Sequence, residues 1–532
     1  MTTPLPALPA KIHPLVRAFL DTRDAVEETM VRFGSPVHLV FPQVYTENLK
    51  QLRAVLDLHV PRYRICYAHK VNQSRAFVRT AEHAGVAIDV ASPRELSSAI
   101  GAGFGPMRIE VTGPKGEAFL RDLIECGVTI NVDNLWELRR IAELAGDRSK
   151  VPVLLRVSDF DDTAVSRFGV PLAHIDRAFD LLSAHRSRIA FLGFAFHIDS
   201  GEPAERIRAI DACLALVEQA YGHGLTPSVL NIGGGFRQVF TADADRFDGY
   251  VLALRESLLG RGEQMSWGNN TFGYHVDGTA VHGIPVFHKY ANTVPATTML
   301  ADLLAAPLER HGGRTVAQVA GDNMLELWLE PGKSLVDHAG VTVAMVEFVK
   351  ELADGTVLVN LDISRDSVTP ADQEVMVDPI VLPSSARSQN EPIGNGVVTP
   401  PRTAADTTPT PHPVHESGPV AVYFAGRLCL ERDLITNHKV WLPQRPRPGD
   451  LVVFPNTGAY HMDLSAATAS MHPVPMKLAV AHQAGSFQVY RDGDYEPYVA
   501  VEIPQTHWAP ARGPHRPSAP RLPSRADNDG AL

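Results

Sequence analysis

Several short runs in this sequence end in residues able to do chemistry. RICYAHK (64–70) delivers Lys70 at the end of an apolar run, with Asn72 just beyond. An amine partly stripped of water at the end of a strand has a lowered pKa and condenses with a carbonyl. A lysine solvated at a strand end has the same local sequence. HIDSGE (197–202) closes another apolar run with His197, Asp199 and Ser200. The imidazole could stack on a flat ring and the hydroxyl could donate to a phosphate; the same residues also suit a helix N-cap. NIGGGF (231–236) sets Gly233, Gly234 and Gly235 directly after a further run. Consecutive glycines let backbone N–H groups approach an anion, and a plain glycine turn reads the same way. No GK[ST] follows, so this is not a P-loop. EPGKS (330–334) offers Glu330 and Lys333, AGRLCLERD (425–433) offers Cys429 and Asp433, and NTGAYHMD (456–463) offers Tyr460. GAGFGP (101–106) has the look of a dinucleotide loop but ends a helical stretch instead of opening one.

The elements that must position these residues alternate. Apolar runs at 64–70, 86–92, 108–113, 128–134, 151–158, 191–199 and 228–236 are separated by amphipathic stretches such as 93–103 and 205–222. Strands apolar on both faces, each followed by a helix, make a parallel sheet covered by helices. With so many units and no dinucleotide fingerprint, the expected fold is a (β/α)8 barrel, whose chemistry sits at the C-terminal ends of its strands. After about 325 the texture turns to Val-rich alternation (LWLEPG, GVTVAMVEFVKEL, GTVLVNLDI, GPVAVYFAG, GDLVVFPNTG, SFQVYRDG), expected to form antiparallel strands of a β-rich C-terminal domain. The domain expectation is a segment 1–44 that lends a strand (within 33–42) to the β domain, a barrel over 45–325 with an insertion at about 260–300, and a β domain over 326–505. The Pro-, Thr- and Ser-rich stretch 383–418 and the tail 506–532 are expected to lack a packed core.

With 532 residues, 45% hydrophobic and 20% charged, the composition is that of a globular protein of two or three domains. A formal net charge of -11 argues against non-specific nucleic-acid binding, which needs a cationic surplus. Cys66, Cys126, Cys213 and Cys429 form no CxxC pair, which fits a reducing compartment better than a disulfide or zinc framework. Without an apolar signal core or membrane span, the expected location is the cytoplasm.

The order of the motifs is more specific than any one of them. YAxKxN, FHxxSG, GGGF, EPG, GxxCxxxD and GAY in succession resemble the fold type III pyridoxal-5'-phosphate (PLP) decarboxylases for ornithine, diaminopimelate and arginine, with alanine racemase a distant relative. Asp89-Val-Ala-Ser92-x-x-Glu95, Asn131-Val-Asp133 and Ser166-Arg-Phe-Gly169 also look like landmarks of that family. The resemblance spans roughly 30–245 and 320–500. It implies a homodimer with shared active sites and an amino-acid substrate; no metal is expected. Lys70 would hold PLP as a Schiff base and His197 would lie against the ring. Ser200, Gly233, Gly234, Gly235 and Tyr460 would hold the phosphate, with Asp89 and Arg156 also near the cofactor. Glu330 would face the pyridine nitrogen, where racemases of this fold put an arginine, so a carboxylate favours decarboxylation. Cys429 would return a proton to the substrate carbon, and Asp433 would face the far end of the substrate, favouring basic or diamino acids. Glu95 resembles such a landmark too, but reads more readily as part of a capping box with Ser92. Racemisation, other α-carbon chemistry and a non-catalytic PLP-binding paralogue are the alternative functions.

Three departures stand out. Lys333 replaces the arginine of EPGR, which keeps the charge but loses the bidentate fork, so carboxylate or phosphate recognition must differ. Leu430 follows Cys429 where diaminopimelate enzymes have Glu. The stretch between GGGF and EPG is unusually long, and within it 267–294 carries His275, His282 and His288, read as an ordinary insertion because their spacing matches no standard ligand pattern.

Overall fold

The computed structural model describes residues 5–146, 150–160, 165–199, 202–369, 374–384, 418–465 and 469–497. Ser200, the tail 506–532 and nearly all of 383–418 lie outside the described residues.

Eight parallel strands close on themselves: Tyr63–Ala68, Ala87–Val90, Ile109–Val111, Thr129–Val132, Val151–Ser158, Ile189–Ala195, Val229–Asn231 and Glu326–Leu329. The ring is completed where Leu327 pairs with Tyr63. Strands 87–90, 109–111 and 129–132 are buried at every position, which is why their sequences run apolar without alternation. Helices wrap the outside. Pro42–His59, for example, buries Val44, Tyr45, Leu49, Leu52 and Leu56, spaced as a helix face requires. The turns at the C-terminal mouth are pinned by caps: Ser74, Ser92 and Asn134 accept from the backbone N–H groups of Phe77, Glu95 and Glu137, each worth about 1 kcal/mol. Strand ends are thereby held still, and the side chains leaving them have fixed origins.

The second sheet takes Val37–Val40 from the N-terminal region between Gly340–Glu351, antiparallel, and Met476–Gln483, parallel. Two expectations are corrected here. LWLEPG does not begin the β domain: Glu326–Leu329 is the eighth barrel strand, lying parallel between Val229–Asn231 and Tyr63–Ala68, so the barrel runs past 325. Its buried-on-both-faces burial pattern, not alternation, marks it as a barrel strand. Nor are all the later strands antiparallel, since Val357–Leu361 pairs in parallel with Val420–Ala425.

The long segment after the seventh strand is packed. Phe272, Tyr274, Phe287 and Tyr290 share a hydrophobic core with Phe247, Tyr250 and residues 375–377. His275 and His282 face each other across a short hairpin, and no metal-holding group of His, Cys, Asp or Glu is found among the described residues.

Candidate active site

Lys70 leaves the first barrel strand in a single 3-10 turn, His69–Val71. Two buried carboxylates act on it, Asp89 from the second strand and Glu330 beyond the eighth, exposed by 1% and 5%, and Glu110 from the third strand, exposed by 1%, stands beside those two. Asn231 organises two of them. Its side-chain nitrogen donates to Glu330 at 2.8 Å and to both oxygens of Glu110 at 2.8 and 3.0 Å, while its oxygen accepts the Gly233 N–H at 2.8 Å. Asn131 adds a bond to Glu110 at 2.9 Å. One amide thus ties the floor of the site to the glycine loop.

Electrostatics at this centre differ from the simple desolvation argument. Burial alone would lower the Lys70 pKa, but Asp89, Glu330 and Tyr460 outweigh it and the net shift is upward, against Arg156. The expectation of a lowered lysine pKa is therefore corrected for the cofactor-free chain: the carboxylates hold the ammonium form. Asp89 moves the opposite way from a surface aspartate. Burial, then the charge of Glu330, push it up to about 7, with Lys70 pulling back. Glu110 is pushed well up by burial, Glu330 and Asp89. His197 is pressed down to about 3 by burial and the charges of Lys70 and Arg156, so its imidazole is neutral.

The glycine loop is shaped by contact. A side chain on Gly233 would stand 2.3 Å from the Phe196 carbonyl oxygen, on Gly234 2.4 Å from that of Glu330, and on Gly235 2.2 Å from that of Ile198. Gly233 and Gly235 have φ of 68° and 79°, where L-residues are strained. Under the loop the fully buried Arg206 donates to the carbonyls of Ile232, Ile198 and Gly234 at 3.0, 2.7 and 2.7 Å. These bonds fix the peptide planes. Gly234 N–H reaches His197 Nδ1 at 3.3 Å. Tyr460, also at positive φ, donates its N–H to Val71 O at 2.7 Å, which brings the GAY turn against the Lys70 turn. Arg156 lies over the Phe168 ring with Nη1 3.5 Å from Asp133.

Lys70, Asp89, Arg156, His197, Gly233, Gly234, Gly235, Glu330 and Tyr460 thus come to one end of the barrel. Lys333 is nearby, its Nζ 2.5 Å from Asp199 Oδ1. Glu95 takes the capping position, its N–H bonded to Ser92 and its carboxylate accepting from Ala91 at 2.6 Å, and it also faces His69 Nδ1 at 3.2 Å beside Lys70. Two residues behave otherwise. Cys429 is exposed on the 426–433 turn of the second domain. Asp433 is buried, and its two oxygens accept the backbone N–H groups of Arg365 and Leu428, each at 2.7 Å. Within one chain it ties the Cys429 turn together. The sequence reading missed Glu110, Asn231 and Arg206; a Glu inside RIEVTG, a run otherwise apolar on both faces, was the available signal.

These residues fit PLP. The Asp89 carboxylate is buried with the Thr112 hydroxyl and the Lys70 charge as its neighbours, an arrangement that suits a cation or donor opposite. The glycines let the loop close against the backbone of Phe196, Ile198 and Glu330, which brings a run of main chain to the barrel mouth where an anion could be met. A neutral imidazole suits a ring face, and Lys70 supplies the amine.

Comparison with known proteins agrees with this geometry. Residues 46–264 match the family described as pyridoxal-dependent decarboxylase, pyridoxal binding domain. The uncharacterised protein y4yA of Sinorhizobium fredii is 31% identical over 458 residues, covering 85% of this chain and 89% of that protein. Diaminopimelate decarboxylase of Bacillus subtilis is 24% identical over 496 residues, covering 89% and 92%. The crystal structure of diaminopimelate decarboxylase from M. jannaschii in complex with L-lysine superposes with a TM-score of 0.62 at 17% identity, over 92% of this chain and 95% of that one, which shows a common fold. The chain belongs to the pyridoxal-dependent decarboxylase family, whose cofactor is pyridoxal 5'-phosphate.

Proposed function

We propose that the protein decarboxylates an amino acid, with its cofactor held on Lys70 and with two copies of the chain sharing each site. Glu330 carries the reading: a carboxylate exposed by 5%, fixed by Asn231, at the mouth of the closing strand. Bound PLP supplies an electron sink for the pair released when a carboxylate leaves the α-carbon, and the sink is strongest when its ring nitrogen is protonated. Glu330 is the group that would hold that proton in place, and Asn231 keeps its oxygen aimed. His197, neutral, offers a flat ring surface that neither competes for the proton nor adds charge. The glycine loop, whose Gly233 and Gly234 N–H groups are held by Asn231 and His197 within the chain, and Tyr460 would line the phosphate position, with Ser200 proposed beside them from the sequence. Asp89 balances the charge of Lys70.

Cys429 would deliver a proton to the reacting carbon from the second copy, its exposure in one chain being what such a donor needs. Asp433 serves this step indirectly by closing the turn that presents Cys429. The preference for basic or diamino substrates, which rested on Asp433 facing the substrate, loses that support, because its oxygens are bonded to backbone.

The test is borohydride reduction of the PLP-treated protein, followed by peptide mass analysis. A pyridoxyl group on Lys70, absent from Lys70→Ala, supports the proposal. Label on another lysine, or none, overturns it.

A further inference from the structure

Glu110 is a buried titratable side chain that no step of the proposed reaction uses. It leaves the third barrel strand where Asp89 of the second pairs with it in register. The layer beneath is apolar: Cys66, Leu154, Val229 and Trp328 belong to one buried cluster. The last three lie two residues back from Arg156, Asn231 and Glu330 along their strands, which makes them the next layer of the barrel interior. A carboxylate set there needs a cation to be stable. The groups acting most strongly on Glu110 are the carboxyls of Glu330 and Asp89, the Asn131 amide and the Cys66 thiol, none of them a cation. Lys70 is engaged with Asp89 and Glu330. Burial, then those two carboxylates, therefore push Glu110 towards its acid form.

Hydrogen bonds tie this acid to Glu330. The Asn231 oxygen is taken by the Gly233 N–H, so the amide hydrogens point at the two carboxyls. They reach Glu330 Oε1 at 2.8 Å and the Glu110 oxygens at 2.8 and 3.0 Å. From the fourth strand Asn131, 2% exposed, holds Glu110 Oε1 at 2.9 Å. Asn231 is fully buried. Without Glu110 one of its N–H bonds would lack an acceptor, at a cost that favours turning the amide. An amide that turns no longer holds Glu330.

We propose that Glu110 is a positioning residue, a protonated carboxylic acid that fixes Asn231 and so sets Glu330, with the one negative charge of the pair, against the ring nitrogen of bound PLP. The ring-nitrogen half rests on the place proposed for Glu330 above; the proton on Glu110 does not. A neutral partner suits the task. Were Glu110 ionised, its charge would draw a proton onto Glu330 itself, which would then cease to be the charged acceptor that a protonated ring nitrogen needs.

Two measurements on the full-length protein test this. With glutamate carboxyls labelled with carbon-13, the Glu110 resonance, assigned by its loss in Glu110→Gln, should stay in the acid form from pH 5 to pH 8. With PLP labelled with nitrogen-15 in its ring, Glu110→Val should lower the pH at which the ring nitrogen loses its proton by about one unit or more. The same variant should lower kcat roughly tenfold with KM little changed. Glu110→Gln, which keeps an accepting oxygen and adds no charge, should restore the wild-type ring titration and kcat. A Glu110 resonance that moves to the ionised form within that pH range overturns the proposal, and this result needs no Glu110→Val protein. So does a ring nitrogen that is protonated in wild type and titrates identically in Glu110→Val, an outcome that leaves Glu330 in its proposed place. A wild-type ring nitrogen without a proton at pH 7 removes the role of Glu330 and the proposal together. Glu110-dependent ring titration in a protein that releases no carbon dioxide keeps the proposal and removes the decarboxylase.

Discussion

Gly235 is where a single methyl group should do the most damage. Replacing it with Ala puts a side chain at φ 79°, which costs about 1 kcal/mol. The new carbon would lie 2.2 Å from the Ile198 carbonyl oxygen and 2.6 Å from Arg206 Nη2. The first is backbone and cannot swing aside, so relief requires a shift of the FHID turn, at roughly 1–3 kcal/mol for such overpacking. The second displaces a buried guanidinium whose Nη2 holds two carbonyls at 2.7 Å, and losing one charge-assisted bond costs about 2 kcal/mol. Together these give a destabilisation of roughly 4–6 kcal/mol, concentrated in the loop that would bind phosphate. The assay pairs denaturant unfolding with PLP titration by absorbance. Gly235→Ala should unfold at lower denaturant and bind PLP at least tenfold more weakly, about 1.4 kcal/mol or more. Gly249→Ala, in the helix Ala244–Leu258 with nothing within 4 Å of the added carbon, should gain a few tenths to about 1 kcal/mol. A Gly235→Ala protein as stable as wild type and with unchanged PLP affinity would refute the claim that this loop is a sterically closed cradle.

Further outcomes follow from other parts of the chain. His438, fully buried, bonds Glu374 and faces Asp378 at 3.6 Å; burial would lower its pKa, but the two carboxylates lift it to about 9. Its pairing stabilises the fold fully below pH 6.5 and progressively less as pH rises through 9, so Glu374→Gln, which leaves Asp378 in place, should lose part of a pairing worth about 3 kcal/mol at pH 6 and less of it at pH 9.5, read by denaturant midpoints; a pH-independent loss would contradict this. Glu110 has its folded pKa raised, so its stability is complete below 4.5 and falls as pH climbs towards the folded value. Glu110→Gln should therefore gain on wild type between pH 5 and pH 8, and an advantage that shrinks over that interval would count against a buried neutral carboxyl. Mixing inactive Lys70→Ala and Cys429→Ala proteins should regenerate about a quarter of wild-type activity if sites are shared in a two-fold dimer; no recovery after subunit exchange argues for self-contained sites.

Much of this molecule could be read from sequence because its physics is local. Strands buried on both faces announce themselves as unbroken apolar runs, and seven of the eight barrel strands did so. Glu326–Leu329 did not, since ELWL before a Pro-Gly turn, followed by Val-rich strands, looks the same whether its neighbours lie parallel or antiparallel. Lys70, Glu330 and the glycines were visible as motifs. What they feel was not: the upward shift of Lys70 depends on Asp89 and Glu330, which approach it from the second and eighth strands. Asp433 shows the same limit, because its role is set by backbone N–H groups at 365 and 428.

The central claim is that this chain removes carbon dioxide from an amino acid through Lys70. The most direct measurement is carbon dioxide release by the purified, PLP-loaded protein from a panel of L- and D-amino acids that includes acidic, basic and neutral side chains, with Lys70→Ala alongside. The account predicts release from at least one compound, abolished in Lys70→Ala. A protein that carries PLP on Lys70 yet releases no carbon dioxide from any member, while exchanging solvent deuterium into an α-carbon, would contradict it and identify a racemase instead.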